Sequence, residues 1–179
     1  MCTVAFFGFL RCGEFTCSVS FDADVNLCVQ DVICDYNRNR CILTLKTSKT
    51  NPFRLGVAIS LFATNKPACL VRSLSQLILI RRKCGAQAHD PLFLDSCFHA
   101  STRTTFLRWL NVIMCRIGLS SKSYSGHSFR IGAATTAAQV RMEDHLIKTL
   151  GRWSSICFTR YIRTPEDTLR QAQISLCNV

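Results

Sequence analysis

The sequence predicts an α+β domain that is mainly helical and carries a small three-stranded antiparallel sheet. Alternation of apolar and polar residues is confined to residues 27–61, whereas apolar residues from residue 67 onward recur with helical spacing. The chain has 179 residues, of which 48% are hydrophobic and 18% are charged. That length and composition are typical of one folded domain with a hydrophobic core, and they exclude a disordered chain.

The first third of the chain is predicted to hold one helix and all three strands. Residues 1–10 are apolar, but no basic leader precedes them and Arg11 follows at once, so they predict a core helix rather than a secretion signal. Cys41, Leu43 and Leu45 alternate with the residues between them, as in a strand with one buried face. The strands are predicted at residues 27–36, 40–47 and 56–61, with a turn at 37–39.

Six helices are predicted after the sheet. Pro67 suits the first turn of the first helix, and Gly118 ends the second. The third is rich in glycine and alanine, so it is expected to pack closely against its neighbours. The predicted bounds are 67–82, 102–117, 125–140, 143–150, 155–162 and 166–174.

The twelve cysteines suit free thiols better than disulfides or a metal site. No two of them form a Cys-x-x-Cys pair and their spacings are irregular, whereas zinc sites need tight ligand pairs. They are therefore expected to be reduced and to serve as small core hydrophobes, with no metal bound.

The formal net charge of +11 is concentrated in the middle of the chain. Residues 1–44 carry three basic and five acidic groups, whereas residues 46–83 carry eight basic groups and no acidic one. Such a field attracts a polyanion, commonly nucleic acid, although a solvated basic surface gives the same pattern. No apolar run is long enough for a membrane span, so no membrane partner is expected. The predicted DNA contacts are Lys46, Lys49, Arg54, Arg81, Arg82 and Lys83.

A set of polar residues suits the cleavage of a phosphodiester without a metal ion. That reaction needs donors for two non-bridging oxygens, a nucleophile, and an acid for the leaving oxygen. Arginine matches phosphate geometry, histidine donates or moves a proton, lysine protonates a leaving oxygen, and tyrosine is a nucleophile in a cationic pocket. The candidates are Arg11, Lys46, Lys49, His127, Arg130 and Tyr161.

Each candidate taken alone has a structural explanation. A single arginine or lysine is usually a solvated charge, and a single histidine or tyrosine is commonly part of the packing. His89, His99 and His145 stay in that class because no partner residues accompany them. His127 and Arg130 differ because they are three residues apart, which places two side chains on one face of a helix.

Five short motifs follow one another along the chain. They are Arg11-Cys12-Gly13-Glu14, Lys49, His127-x-x-Arg130, Gly151-Arg152-Trp153 and Tyr161. Together they resemble the catalytic domain of the tyrosine recombinases, also called phage integrases. The longer segments 6–15, 45–50 and 126–135 are similar to recombinases of DIRS- and Ngaro-like retrotransposons of eukaryotes. The resemblance implies a catalytic domain at residues 1–165, with the fold of that family, and a C-terminal helix or tail at 166–179.

The resemblance implies a role for each matched residue. Arg11, oriented by Glu14, clamps the phosphate together with His127 and Arg130. Lys49 is the general acid, and Tyr161 is the nucleophile that forms a covalent 3′-phosphotyrosyl link. The implied activity is site-specific recombination or integration of a mobile element, without ATP, metal or another cofactor. The implied partners are double-stranded DNA and further copies of the chain, as a tetramer on DNA. The implied location is the nucleus, or the cytoplasm before import, and not the outside of the cell.

Two departures from the family pattern bear on activity. The family usually has histidine or tryptophan where this chain has Arg152, and Trp153 follows one residue later, so either can fill that role. Family members usually carry an N-terminal domain that closes a clamp around DNA, and this sequence starts in the catalytic domain. A catalytically inactive, DNA-binding relic of a transposon recombinase is therefore the alternative to an active enzyme. A basic adaptor with no DNA role is the third interpretation, and it makes the motif order a coincidence.

Overall fold

The computed structural model describes residues 1–47 and 56–176, and it confirms the predicted fold class. In this part of the chain three antiparallel strands pair in the order β1-β2-β3. The strands are β1 (Val32–Asp35), β2 (Arg40–Leu45) and β3 (Val57–Phe62). The helices are α1 (Cys2–Phe7), α2 (Cys12–Phe15), α3 (Leu70–Lys83), α4 (Arg103–Arg116), α5 (Ser128–Gln139), α6 (Asp144–Gly151) and α7 (Glu166–Leu176). Short 3-10 helices span Val29–Asp31, Ser121–Ser123 and Ile156–Tyr161.

The central strand β2 sets the buried face of the sheet. Cys41, Leu43 and Leu45 are buried while the residues between them are half-buried, which confirms the predicted alternation. The turn between β1 and β2 ends at Asn39, whose φ of 47° lies in the left-handed region that asparagine tolerates.

Two apolar clusters form the core. The larger one joins the sheet to α1, α3 and α4, with Leu43 and Leu74 fully buried. The smaller one surrounds α5 and includes Trp153 and Phe158. The buried residues that α5 gives to this cluster are small, so its neighbours approach closely, as predicted; they are Ala133, Ala134 and Ala137.

Several element boundaries differ from the prediction near the sheet. The strand predicted at 27–36 is shortened to β1, because the Asp31 carboxylate accepts the backbone N–H of Cys28 at 2.7 Å and holds a 3-10 turn there. β2 ends at Leu45 rather than at residue 47, because Lys46 turns away to pair with Asp31 at 2.8 Å. α1 ends at Phe7 rather than at residue 10, because Phe9 adopts a left-handed φ of 49°.

The other differences concern helix ends. α3 starts at Leu70 rather than at Pro67, since residues 66–69 form a turn closed by a bond from the Cys69 N–H to the Lys66 carbonyl. α5 starts at Ser128, so the predicted start at residue 125 is wrong and His127 is the N-cap residue. The α-helix predicted at 155–162 is a 3-10 helix, Ile156–Tyr161.

The cysteines of the described residues carry free thiols. Five of these cysteines are buried, one is half-buried and five are exposed. The interpretation as core hydrophobes is therefore right for only part of the set. Within the same residues, no group of three histidine, cysteine or acidic side chains is placed to hold a metal ion, and no helix has the length and apolar character to cross a membrane. The buried cysteines are Cys12, Cys17, Cys28, Cys41 and Cys69, and the exposed ones are Cys2, Cys84, Cys97, Cys115 and Cys157.

Candidate active site

An open cleft of about 460 Å³ lies where α2 meets the starts of α4 and α5. Its only carboxylate among the described residues is Glu14. Thr47 is the last described residue before the gap, and the predicted general acid Lys49 and DNA contact Arg54 lie outside the described residues. The cleft is lined by Arg11, Cys12, Gly13, Glu14, Thr47, Arg103 and His127.

Glu14 holds two arginines beside the cleft. Its Oε1 accepts a hydrogen bond from Arg11 Nη1 at 2.8 Å, and its Oε2 accepts one from Arg152 Nη2 at 2.8 Å. The same Oε2 accepts the backbone N–H of Arg11 at 2.8 Å, so the residue that caps α2 is also the first arginine of the site. The Glu14 side chain is only 6% exposed, and such charge-assisted bonds are strong where water is excluded.

Arg152 reaches this position because of its backbone. It ends α6 in the left-handed region, with φ of 55°, and its Nη1 donates to the Gly8 carbonyl at 2.9 Å. Burial lowers the pKa of Arg152. The Glu14 carboxylate opposes this shift, whereas the positive charge of Arg11 lowers the pKa further. Arg152 therefore positions the Glu14 carboxylate and is not among the residues that line the cleft. Its role in place of the family's histidine or tryptophan stays a prediction.

Arg130 is fully buried next to this pair. Its Nη1 donates to the Phe9 carbonyl, and its Nη2 donates to the Gly151 carbonyl at 2.6 Å. The guanidinium carbon lies 4.1 Å from the centroid of the Trp153 ring, and it is 5.6 Å from that of Tyr161. Nε is buried and has no hydrogen-bond partner among the described residues. Unpartnered buried donors are uncommon in folded proteins.

Burial lowers the pKa of Arg130 to about 10. Repulsion from Arg11 and then Arg152 adds to the shift, whereas Glu14 and Tyr161 oppose it. The guanidinium stays protonated at neutral pH, because that value is well above 7. Arg130 is therefore a buried cation that lowers the stability of the fold, and it lies near the cations Arg11 and Arg152. The three guanidinium groups together form a concentrated positive site.

Tyr161 ends the 3-10 helix that follows α6. Its ring centroid lies 5.3 Å from that of Trp153, and the hydroxyl group of Thr135 donates to its backbone carbonyl at 3.3 Å. Trp153 therefore contacts Arg130 and Tyr161 together, and it serves as a platform for both side chains.

The structure thus brings most of the predicted site residues together, in two layers. Arg11 and His127 line the open cleft, and Glu14 links Arg11 to a buried layer, which Arg130 and Trp153 form with the half-buried Arg152 and Tyr161. His127 is exposed at the N-cap and Arg130 is buried three residues later, so the two side chains belong to different layers of the site. The catalytic roles of these residues stay predictions.

Lys46 has a structural position that the sequence did not predict. Its ammonium pairs with the Asp31 carboxylate at 2.8 Å and donates to the carbonyls of Ala23 and Asn26, at 2.6 and 3.1 Å. Burial lowers its pKa, but the hydrogen bonds with Asp31 and then Cys28 outweigh that effect and raise the pKa. With these partners the ammonium anchors residues 23–31 to β2. The assignment of Lys46 as a DNA contact or supporting residue stays a prediction.

Replacing Lys46 by methionine is expected to lower the free energy of unfolding by about 3 kcal/mol, because a buried carboxylate is left without its cation. Urea unfolding measures the loss. The matched control is Lys66→Met at an exposed lysine, which should change the stability little. Equal stability of the two variants would contradict the anchoring role.

The three predicted DNA contacts on α3 are not among the residues that line the cleft. Arg81, Arg82 and Lys83 form the last turn of α3, where the helix dipole favours cations whatever the ligand. Arg81 Nη2 also donates to the Pro91 carbonyl at 3.0 Å. The assignment of these three residues to DNA stays a prediction, and the dipole gives them a structural explanation.

Arg103 lines the cleft although the motifs do not predict it. It is the first residue of α4, directly after the N-cap residue Thr102. A cation in the first turn of a helix is unfavourable, and α4 has no acidic residue there. That local conflict is a weak signal in the sequence, because Arg72 breaks the same rule in the first turn of α3.

Gly151 has no side chain, and the Trp153 ring occupies the space that a Cβ would fill. A Cβ at this position would lie 1.6 Å from a carbon of the Trp153 ring, so Gly151→Ala must displace the platform under Arg130. The substitution is expected to lower the free energy of unfolding by about 3 kcal/mol, as overpacking does. Gly13→Ala is the matched control, because a Cβ there meets nothing within 4 Å. Chemical denaturation of the two variants checks the difference, and similar midpoints would contradict the close packing.

No protein-family model matches this sequence, and no curated protein does either. Solved recombinase structures are similar to it. XerA recombinase has a TM-score of 0.69 and 18% identity, over 97% of this chain and 55% of that one. XerH site-specific recombinase, in a post-cleavage complex with palindromic difH substrate, has a TM-score of 0.68 and 18% identity, over 96% and 43% of the two chains. Tn1549 transposon integrase in complex with circular intermediate DNA has a TM-score of 0.55 and 14% identity, over 96% and 55%.

These similarities concern the fold. The chain has the tyrosine recombinase catalytic-domain fold of these structures, which confirms the prediction. It spans about half the length of the proteins that it matches.

Proposed function

We propose that this chain cleaves a DNA strand and rejoins it through a covalent 3′-phosphotyrosyl intermediate. The observation that carries the proposal is the position of the Arg130 guanidinium. Two backbone carbonyls and the Trp153 ring hold it beside Tyr161. Arg11 and Arg152 add two further guanidinium groups nearby, and both are bound to the Glu14 carboxylate. Such an excess of fixed positive charge suits a phosphodiester and the extra charge that develops on it during displacement.

In the proposed reaction the hydroxyl oxygen of Tyr161 attacks the scissile phosphorus. A bond forms between that oxygen and phosphorus, the bond from phosphorus to the 5′ oxygen breaks, and the phenolic proton passes to His127 or to solvent. The leaving 5′ oxygen takes a proton, for which Lys49 is the proposed donor. The phosphate stays esterified throughout, so the free 5′ hydroxyl reverses the step and rejoins a strand without ATP.

The arginines act on the phosphate by charge and by fixed geometry. Arg11 lines the cleft, and Glu14 holds its guanidinium so that little reorganisation is needed on binding. Arg130 keeps N–H donors beyond the two used for backbone carbonyls, because a guanidinium has five. XerH structures similar to this chain contain difH substrate before and after cleavage, which supports DNA as the substrate.

The biological setting that we propose is a mobile element. The motif segments are similar to recombinases of DIRS- and Ngaro-like retrotransposons, and a transposon integrase is among the similar structures. A recombinase of such an element acts on double-stranded DNA in the nucleus, and exchange of strands between two sites requires several copies of the chain. Self-association on DNA, as a tetramer, is part of this proposal.

A second candidate function is DNA binding without cleavage. The observation that favours it is the complete burial of Arg130, whose two Nη atoms both donate to backbone carbonyls. In this state the basic cleft binds DNA, and the side chains of the buried layer serve the fold alone.

Trapping the covalent intermediate separates the candidates. The chain is incubated in EDTA with a suicide duplex, nicked near the cleavage site and carrying the terminal repeats that flank its own gene. An active enzyme gives a protein–DNA adduct that survives denaturant, because the released fragment diffuses away before religation. Salt-sensitive binding without an adduct supports the non-cleaving candidate. No binding at low ionic strength refutes both, and it favours a basic adaptor.

A further inference from the structure

Arg103 is held rigidly at the mouth of the cleft. Its backbone N–H donates to the Cys17 carbonyl at 2.9 Å, and Cys17 forms a parallel bridge with Thr102. The side-chain oxygen of Thr102 accepts the backbone N–H of Thr105 at 3.1 Å and so fixes the first turn of α4. The exposed side chain of Arg103 therefore projects from a fixed base into the space that Arg11 and His127 line.

Gly126 gives the Arg103 guanidinium its place beside His127. A Cβ at Gly126 would lie 2.8 Å from the Cys12 Cβ and 3.6 Å from Arg103 Nη2, so the guanidinium lies against the backbone of the residue before His127. Burial raises the pKa of Cys12, while a hydrogen bond with Thr16 and the nearby charge of Arg103 oppose that rise. Both facts place the positive charge of Arg103 next to the residues that form the cleft floor.

The charge of Arg103 has no carboxylate partner among the described residues. The carboxylate of the cleft, Glu14, already accepts hydrogen bonds from Arg11 and Arg152. The dipole of α4 also disfavours a cation at this helix end. An anion bound in the cleft besides Glu14 supplies a partner for the Arg103 charge and offsets the unfavourable helix dipole. A backbone phosphate is the anion that a DNA strand supplies.

We infer that Arg103 binds a DNA backbone phosphate adjacent to the scissile one, and that it positions the strand without taking part in the chemical step. The inference rests on the proposed function, since it requires DNA in the cleft. Phosphate contacts fix the register of a duplex on a protein and carry no base information. Arg103 is accordingly a strand-positioning residue, beside the Arg11, His127 and Arg130 set.

The test compares Arg103→Gln with Arg108→Gln, which removes an exposed arginine of the same helix that does not line the cleft. Affinity of the full chain for a fluorescent duplex is measured over a salt series. Arg103→Gln should make the slope of log affinity against log salt shallower by about 0.9, the value of one phosphate contact. Arg108→Gln should leave the slope unchanged, and Arg103→Lys should restore it, because an ammonium also binds phosphate.

A second measurement distinguishes positioning from chemistry. With the suicide duplex at saturating concentration, Arg103→Gln should form adduct at the rate of the wild type, whereas more DNA should be needed for half of that rate. A reduced saturating rate, or a salt slope equal to that of the wild type, overturns the assignment. If the wild-type chain itself shows no salt-dependent binding, the proposed function has failed. If the wild type binds and Arg103→Gln behaves like Arg108→Gln, this inference alone has failed.

Discussion

Replacing Tyr161 by phenylalanine is expected to abolish the covalent DNA adduct while DNA affinity stays within about twofold of the wild type. The substitution removes the nucleophilic oxygen and no other heavy atom. The rate of a phosphoryl transfer that loses its nucleophile falls by about 10⁴-fold or more. The ring keeps its contact with Trp153 at 5.3 Å, so the fold is expected to persist. Denaturing electrophoresis of the suicide-duplex reaction measures the adduct, and fluorescence anisotropy measures binding.

The matched control is Tyr124→Phe, which removes the same atom from a tyrosine of the loop before α5. Its adduct yield should equal that of the wild type. An adduct that persists in Tyr161→Phe would mean that another tyrosine is the nucleophile, and Tyr36 and Tyr124 would then be tested singly.

Replacing Arg130 by alanine is expected to abolish the adduct and to destabilise the fold by about 3 kcal/mol. The carbonyls of Phe9 and Gly151 lose their donor inside the protein, and each unsatisfied buried group costs about 1 to 3 kcal/mol. The charge itself works in the opposite direction. The folded state lowers the Arg130 pKa to about 10, so the charged form destabilises the fold below that pH, and the penalty disappears as pH rises from there towards the ordinary pKa of arginine.

Arg130→Lys separates the two effects. Lysine keeps the positive charge and can reach one carbonyl, so most of the stability should return. Its single ammonium cannot donate to Phe9, Gly151 and a phosphate in the geometry of a planar fork, and the adduct rate should stay at least about 100-fold below wild type. Unfolding in urea and the suicide-duplex reaction measure the two effects, with Arg170→Lys on the exposed α7 as control. A wild-type rate in Arg130→Lys would contradict the role of the guanidinium.

Capping and terminating residues in the sequence predicted the helix ends that these residues themselves determine. α4 was predicted within one residue at each end, because Thr102 caps it and Gly118, with φ of 78°, terminates it. The end of β2 was not predictable in the same way, since Lys46 leaves the strand to pair with an aspartate fifteen residues earlier. Sequence patterns give the type and spacing of residues, and they do not report partners that only the fold brings near.

The same distinction applies to the candidate site. Motif order identified Arg11, Glu14 and Arg130, and the structure places them close together. Nothing in the sequence indicates that Arg130 is buried under an indole ring, because its carbonyl partner Phe9 is 121 residues away and depends on a left-handed backbone. Arg103 was missed because it belongs to none of the motifs and only the close approach of Gly126 reveals its neighbours.

The bonds that build the cationic centre connect distant parts of the polypeptide. Arg152 contacts Glu14 and Gly8 across 138 and 144 residues, and Arg130 contacts Phe9 across 121. Contacts of such high contact order form late, since loop closure must precede them. A ribosome must therefore have synthesised the chain past residue 152 before the centre exists. Nascent or terminated products that stop before residue 152 lack this centre altogether, and under the proposed function they are expected not to cleave DNA.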